Sequence, residues 1–68
     1  MSQRLIRLPA VIERTGLSKS AIYRRAGAGT FPRPVPLGHS MSGWVECEID
    51  QWITDRIRDR DEAGQEPG

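Results

Sequence analysis

The sequence predicts a small, mostly α-helical domain with three helices and one small β-hairpin. Apolar residues recur at helical spacing in three segments, and a proline-rich stretch separates the second segment from the third. A chain of 68 residues has room for only one small core. We therefore expect one folded domain over residues 1–62. Residues 63–68, where Pro and Gly accompany polar residues, are expected to form a flexible tail.

The first helix is expected to begin near Pro9 and to be about two turns long. Proline is tolerated in a first helical turn because that position needs no amide donor, and Gly16 can adopt the left-handed conformation that ends a helix. The residues spaced along one face of this helix are Leu8, Val11, Ile12 and Thr15. Residues 5–8 form a short apolar entry to it.

A second helix is expected over Lys19–Ala26, directly after a tight turn at Thr15–Ser18. Ser18 can accept a hydrogen bond from an amide of the first turn. Ile22 and Ala26 are spaced for burial on one face. Two short helices joined by such a turn are typical of a helix-turn-helix.

An extended connector follows over Phe31–Pro36, because each proline removes a donor and biases the preceding residue away from the helix. Leu37–Gly38 and Gly43–Val45 then flank the polar segment His39–Ser42. This pattern predicts a hairpin with a polar tip, which would be the wing of a winged helix-turn-helix.

A third helix is expected over Glu48–Asp61, with Cys47 at the capping position. Its apolar stripe consists of Ile49, Trp52, Ile53 and Ile57. Trp44 and Trp52 could stack on bases, but the stripe and the base of the hairpin favour core packing, with the two indoles fastening the hairpin to the third helix.

The formal charge of +1 conceals a strong segregation of charge along the chain. Residues 1–45 contain seven basic residues and one acid, whereas residues 46–68 contain three arginines and eight acids. A basic half indicates a face that meets a polyanion. Chance clustering of surface charge in a short chain is the alternative.

The second helix of a helix-turn-helix enters the major groove of DNA, which is about 12 Å wide. Arg24 can grip a guanine edge with two hydrogen bonds, Lys19 can neutralise phosphate, and Tyr23 offers a hydroxyl and a flat ring. The candidate DNA-binding residues are Ser18, Lys19, Ser20, Tyr23, Arg24, Arg25, Arg33, His39, Ser40 and Ser42. The alternatives are a basic, solvated helix face without a ligand and, for Arg33, an unpaired surface arginine.

The amino-acid composition gives little support for metal binding or catalysis. His39 is the single histidine, so zinc binding of the usual kind lacks ligands, and Cys47 has no histidine base nearby in sequence. No paired carboxylates or activated nucleophile suggest an enzyme, and we expect no cofactor and no metal. One cysteine and the lack of a leader or a long apolar run predict a cytoplasmic protein without a membrane partner.

Several motifs in order along the chain resemble the AlpA family of prophage regulators. These motifs are Arg4–Pro9 with Val11, Thr15–Ser18, Ile22–Arg24, Gly29–Val35, Leu37–Gly38, Gly43–Trp44 and Trp52–Ile53. The resemblance covers about Arg4 to Asp61. It implies a MerR-like winged helix-turn-helix, related in architecture to phage excisionases, with recognition-helix contacts at residues 18–20, 23 and 24 and wing contacts at residues 39–42. Two positions depart from the family: Ala21 replaces a frequent threonine, and His39–Ser40 replaces a frequent basic residue at the wing tip.

The resemblance implies a sequence-specific DNA-binding transcriptional regulator of a prophage or mobile element that controls integrase or excision genes. Its expected partner is double-stranded DNA, together with integrase or RNA polymerase and other copies of the chain on repeated sites. One alternative is an excisionase-like factor that bends DNA and recruits integrase. Another is a protein-interaction module or antirepressor, in which the acidic third helix docks a basic partner.

Overall fold

The computed structural model describes residues 3–63 and confirms the predicted fold class: three helices with a small antiparallel sheet. The elements in chain order are β1 (Leu5–Ile6), α1 (Leu8–Thr15), α2 (Lys19–Gly27), β2 (Val35–Gly38), β3 (Met41–Val45) and α3 (Glu46–Ala63). The two predicted short helices are confirmed to within one residue at each end.

All the helices and the sheet contribute to one apolar core. Its buried members are Ile6, Val11, Ile22, Ala26, Phe31, Trp44 and Ile49. Trp44, Ile22, Ile49 and Val11 are the largest side chains that are fully enclosed. Each comes from a different element, so burial of these four side chains fixes the helices against the sheet.

The sheet has three strands in the order β1-β3-β2, whereas the sequence predicted only a hairpin. The interpretation of Leu5 and Ile6 as an entry to α1 was incomplete. They pair antiparallel with Val45 and Trp44, and the Glu46 N–H donates to the carbonyl of Arg4 over 2.7 Å. A strand of two residues is too short to show the alternation by which strands are recognised in a sequence.

The turn between α1 and α2 is closed by its own residues. Gly16 takes the left-handed conformation with φ of 75°, as predicted. The Thr15 hydroxyl donates to the carbonyl of Val11 over 2.7 Å and accepts from the Leu17 N–H over 3.2 Å. These bonds satisfy polar groups exposed by the end of α1, and they fix the direction in which α2 departs.

The hairpin of β2 and β3 has a shorter tip than predicted. Met41 and Ser42, assigned to the tip from sequence, belong to β3, and the turn consists of His39 and Ser40 alone. Ser40 has a positive φ of 53°. Pro36 pairs with Ser42, and β2 tolerates the proline because it is an edge strand.

Both tryptophans fasten the extended connector, a role that the sequence did not predict. Trp44 Nε1 donates to the Pro32 carbonyl over 3.1 Å, and Trp52 Nε1 donates to the Thr30 carbonyl over 2.9 Å. The Phe31 ring meets the Trp52 ring edge to face, with centroids 4.9 Å apart. A connector of this kind leaves backbone carbonyls without strand partners, and the indoles supply the donors.

The third helix begins at Glu46, two residues before the predicted start, and continues to Ala63. Cys47 therefore lies in its first turn and not at a cap. The predicted apolar stripe is buried only at its beginning, because Ile49 is enclosed whereas Ile57 is 46% exposed. Of the predicted tail, Ala63 is helical and the remainder lies outside the described residues. Within residues 3–63, no helix has the length and apolar character needed to cross a membrane.

Candidate nucleic-acid interface

Helix α2 is held at both ends and along one face. The Ser18 hydroxyl accepts from the Ala21 N–H over 3.1 Å, which is the predicted N-cap. Ile22 and Ala26 are buried in the core, as predicted. At the other end, Thr30 donates through its N–H and its hydroxyl to the carbonyl of Arg25. These contacts hold α2 rigidly and leave its other face open.

The open face of α2 carries polar side chains. Ser20 and Arg24 lie one helical turn apart and opposite the buried pair, and both are exposed. Lys19 is exposed in the first turn. The nine residues of α2 span about 13 Å at 1.5 Å per residue, a length that matches the major groove of DNA.

Tyr23 connects α2 to the sheet. Its ring meets the Trp44 ring edge to face, with centroids 5.8 Å apart, yet 42% of the residue stays exposed. Side chains alternate along a strand, so Ser42 lies on the same face of β3 as Trp44. Ser42 is half-buried, whereas Tyr23 is exposed. The structure thus places Ser42 on the strand face that Tyr23 meets through Trp44.

Arg25 differs from the other α2 candidates. It is half-buried, and its Nε is enclosed without a hydrogen-bond partner among the described residues. Arg25 precedes the buried Ala26 by one position, so its stem leaves the helix at the edge of the core. Its guanidinium is therefore less accessible than that of Arg24.

The remaining candidates lie away from α2. Arg33 is exposed in the connector, and His39 and Ser40 are exposed at the hairpin tip. Trp44 lies four residue steps beyond Ser40 along β3, which is a distance of roughly 13 Å. The wing tip therefore lies outside direct contact with α2, and a ligand that touched both would have to be extended.

The ion pairs among the described residues separate the basic residues into a paired group and an unpaired group. Arg14 on α1 binds two acids of α3, with 2.6 Å to Glu46 and 3.1 Å to Asp50. The three arginines of α3 each bind an aspartate of the same helix, in the pairs Arg56–Asp59, Arg58–Asp55 and Arg60–Asp61. No ion pair within residues 3–63 involves the other basic residues, which are Arg4, Arg7, Lys19, Arg24, Arg25 and Arg33.

Sequence reasoning missed two features of this surface. It placed Trp44 in the core without identifying it as the support of Tyr23, because no spacing rule links residues so far apart in the chain. It also counted Arg14 among the cations of the basic half, although Arg14 forms ion pairs with α3.

Comparisons with known proteins show the family of this chain. Residues 4–57 match the model of a family described as prophage CP4-57 regulatory protein (AlpA). The DNA-binding transcriptional activator AlpA of Escherichia coli (strain K12) is 39% identical over 61 residues, covering 81% of this chain and 87% of that protein. The uncharacterized protein ORF88 of Enterobacteria phage P4 is 38% identical over 58 residues, covering 85% of this chain and 66% of that protein.

Proposed function

The chain belongs to the AlpA family of prophage regulatory proteins, and from this membership we propose that it is a sequence-specific DNA-binding transcriptional regulator of a prophage or mobile element. The observation that carries the proposal is the open face of α2, where Ser20 and Arg24 are exposed and Arg24 makes no ion pair within residues 3–63. The relative from Escherichia coli is named a DNA-binding transcriptional activator, which supports duplex DNA as the partner.

In this proposal α2 enters the major groove and Arg24 reads a guanine edge. The amides of the first turn of α2, with Ser18 and Lys19, contact a phosphate. Arg33 and the hairpin tip at His39 and Ser40 contact the backbone on either side. With about 3 to 5 phosphate contacts per copy, the logarithm of affinity should fall with the logarithm of salt concentration at a slope of roughly −3 to −5.

The test is fluorescence anisotropy with labelled duplex fragments from upstream of candidate promoters, and with random duplex DNA, at two salt concentrations. Arg24→Ala should weaken binding to the preferred fragment by about 10-fold to 100-fold, since a bidentate contact is worth about 1–3 kcal/mol. Arg58→Ala is the matched control, because it removes the same charge from α3, where Arg58 already binds Asp55. No binding at low salt, or equal losses in both variants, would refute the proposal.

The genes controlled are a finer part of the same proposal. A family of prophage regulators and a relative from a phage support a role at genes of an integrated element, and we assign the integrase or excision genes. A reporter fused to the integrase promoter should respond to the native chain and not to Arg24→Ala. A response only in an excision assay, together with bending of long DNA, would favour the excisionase-like alternative.

Docking of a basic protein by the acidic third helix receives less support. Five acids of α3 already hold arginines of this chain, namely Glu46, Asp50, Asp55, Asp59 and Asp61. Arg24→Glu discriminates between the two functions, because it should abolish regulation by DNA binding and leave protein docking through α3 intact. With DNA as the partner, the protein belongs in the bacterial cytoplasm, at the nucleoid when bound.

A further inference from the structure

One face of the three-stranded sheet is apolar and open to solvent. Leu5, Leu37 and Met41 are 41%, 39% and 43% exposed. A Cβ built on Gly43 would lie 3.0 Å from Leu37 Cδ1 and 3.4 Å from Leu5 Cβ, so these leucines flank Gly43 on one side of the sheet. Met41 shares that side by strand alternation. We call this surface the outer sheet face; its half-buried members are Val35 and Val45.

The opposite face of the same sheet is covered. Ile6 and Trp44, which alternate with Leu5 and Val45, are buried in the core. The helices therefore pack on one side of the sheet, and the described residues leave the outer sheet face without a covering layer. Three large apolar side chains grouped on one exposed face form a patch of the kind that serves as an interaction surface.

Charges of opposite sign lie at opposite edges of the outer sheet face. Arg7 continues the extended backbone of the edge strand β1 and lies on the side of Leu5, level with Gly43. Glu48 lies in α3, beyond the Val45 end of β3, and lines a groove together with Val45 and with Val35 of the other edge strand. Both charged residues are exposed, and neither has an ion pair within residues 3–63.

We propose that the outer sheet face is an interface between two copies of this chain. A two-fold axis that runs across the line from Arg7 to Glu48 brings the same patch of each copy together and sets each of these two edges against the other. Arg7 of one copy then lies opposite Glu48 of the other, while Leu5, Leu37 and Met41 form the apolar centre. A surface with an apolar centre and opposite charges at its opposite edges is complementary to itself.

This interface leaves helix α2 free. Helix α2 contacts the sheet through Tyr23 and Trp44, which lie on the face opposite to the proposed interface. Two copies joined by their outer sheet faces therefore present two separate α2 helices, and the pair can read two half-sites. The self-association itself does not depend on the proposed DNA binding.

The experiment is sedimentation of the full chain without DNA, in reducing buffer so that Cys47 forms no disulfide, from roughly 1 μM to roughly 1 mM. The native chain should show a concentration-dependent dimer. The double variant Leu37→Gln with Met41→Gln should weaken the dimer about tenfold or more. Ile57→Gln is the matched control, because Ile57 is 46% exposed but lies on α3, away from this face; its dimer should be unchanged. Circular dichroism checks that each variant is folded.

A charge exchange tests the geometry with substitutions at exposed positions only. Arg7→Glu and Glu48→Arg should each weaken the dimer, and their combination should restore it. A native chain that stays monomeric up to about 1 mM overturns the proposal. A double variant that associates as strongly as the native chain, or equal weakening by Ile57→Gln, also overturns it. Because no DNA is present, these results are independent of the anisotropy measurements on α2.

Discussion

Trp44→Phe removes an indole from the centre of the domain while keeping one aromatic ring. Trp44 is fully buried, and its Nε1 donates to the Pro32 carbonyl over 3.1 Å. Phenylalanine cannot donate, so the carbonyl of the half-buried Pro32 loses its partner. The substitution also leaves a cavity beside Tyr23, whose ring meets that of Trp44.

The expected loss in the free energy of unfolding is about 2–4 kcal/mol. Loss of the donor to a half-buried carbonyl costs about 1–2 kcal/mol, and the cavity left by the smaller ring at a fully buried position adds about 1–2 kcal/mol. A domain of 68 residues has a total stability of roughly 3–10 kcal/mol. The substitution therefore removes a large share of that stability, and it brings a weakly stable domain close to unfolding.

Trp52→Phe is the matched comparison. Trp52 Nε1 donates to the Thr30 carbonyl over 2.9 Å, but the residue is half-buried and the carbonyl belongs to an exposed residue. Water can replace the lost donor, and a phenylalanine ring can still meet Phe31. We expect a loss of about 1 kcal/mol or less.

The assay is urea denaturation at 25 °C followed by far-ultraviolet circular dichroism. Each variant keeps one tryptophan, so fluorescence supplies a second probe of the same transition. A loss for Trp52→Phe equal to or greater than that for Trp44→Phe would refute the argument that burial of the acceptor decides the cost.

Two further predictions concern the first helix and its turn. Gly16→Ala should destabilise the domain by about 1 kcal/mol, because Gly16 has φ of 75°. Gly27→Ala at the end of α2 should be neutral or slightly stabilising, because a Cβ there meets no atom within 4 Å. Urea midpoints that rank the two substitutions in the opposite order would contradict this. Arg14→Gln removes the ion pairs to Glu46 and Asp50. It should lower the free energy of unfolding by about 0.5–1 kcal/mol in low salt and by less in high salt. A loss of stability that does not change with salt would show that packing of the arginine stem, and not charge, is responsible.

The helices were predictable because their signals are local. Pro9 and Gly16 mark the start and end of α1, and Ser18 caps α2 through a bond to an amide three residues later. Each signal acts within a few residues, so the sequence carries it in full. The face of α2 that carries Arg24 followed from the positions of Ile22 and Ala26 alone.

The third strand and the roles of the tryptophans depend on contacts between distant parts of the chain. Leu5 pairs with Val45, and Trp52 binds the carbonyl of Thr30. The spacing of residues in the sequence does not identify either partner. For Trp52, any available carbonyl would satisfy the indole donor equally well. The sequence therefore predicted that both tryptophans would pack in the interior, but it did not identify the extended connector as a segment that they hold.

Part of the candidate site was predictable and part depended on tertiary contacts. The exposed group on α2 follows from helical periodicity, and the structure places it as expected. The partial burial of Arg25, the position of Ser42 in β3 and the pairing of Arg14 with α3 do not follow from periodicity. Each of these features depends on the position of another helix or strand in the fold, and the sequence of one short segment carries no information about that position.

The pairing of β1 with β3 has a consequence for the order of folding. The helix-turn-helix lies between Leu5 and Val45, which are paired across neighbouring strands of the sheet, so both short helices sit inside one long closed loop. Closing such a loop costs entropy before the strand contacts compensate for it. The edge-to-face contact of Tyr23 of α2 with Trp44 of β3 therefore forms only after β3 has left the ribosome, and a nascent chain that ends before Trp44 lacks this support for α2.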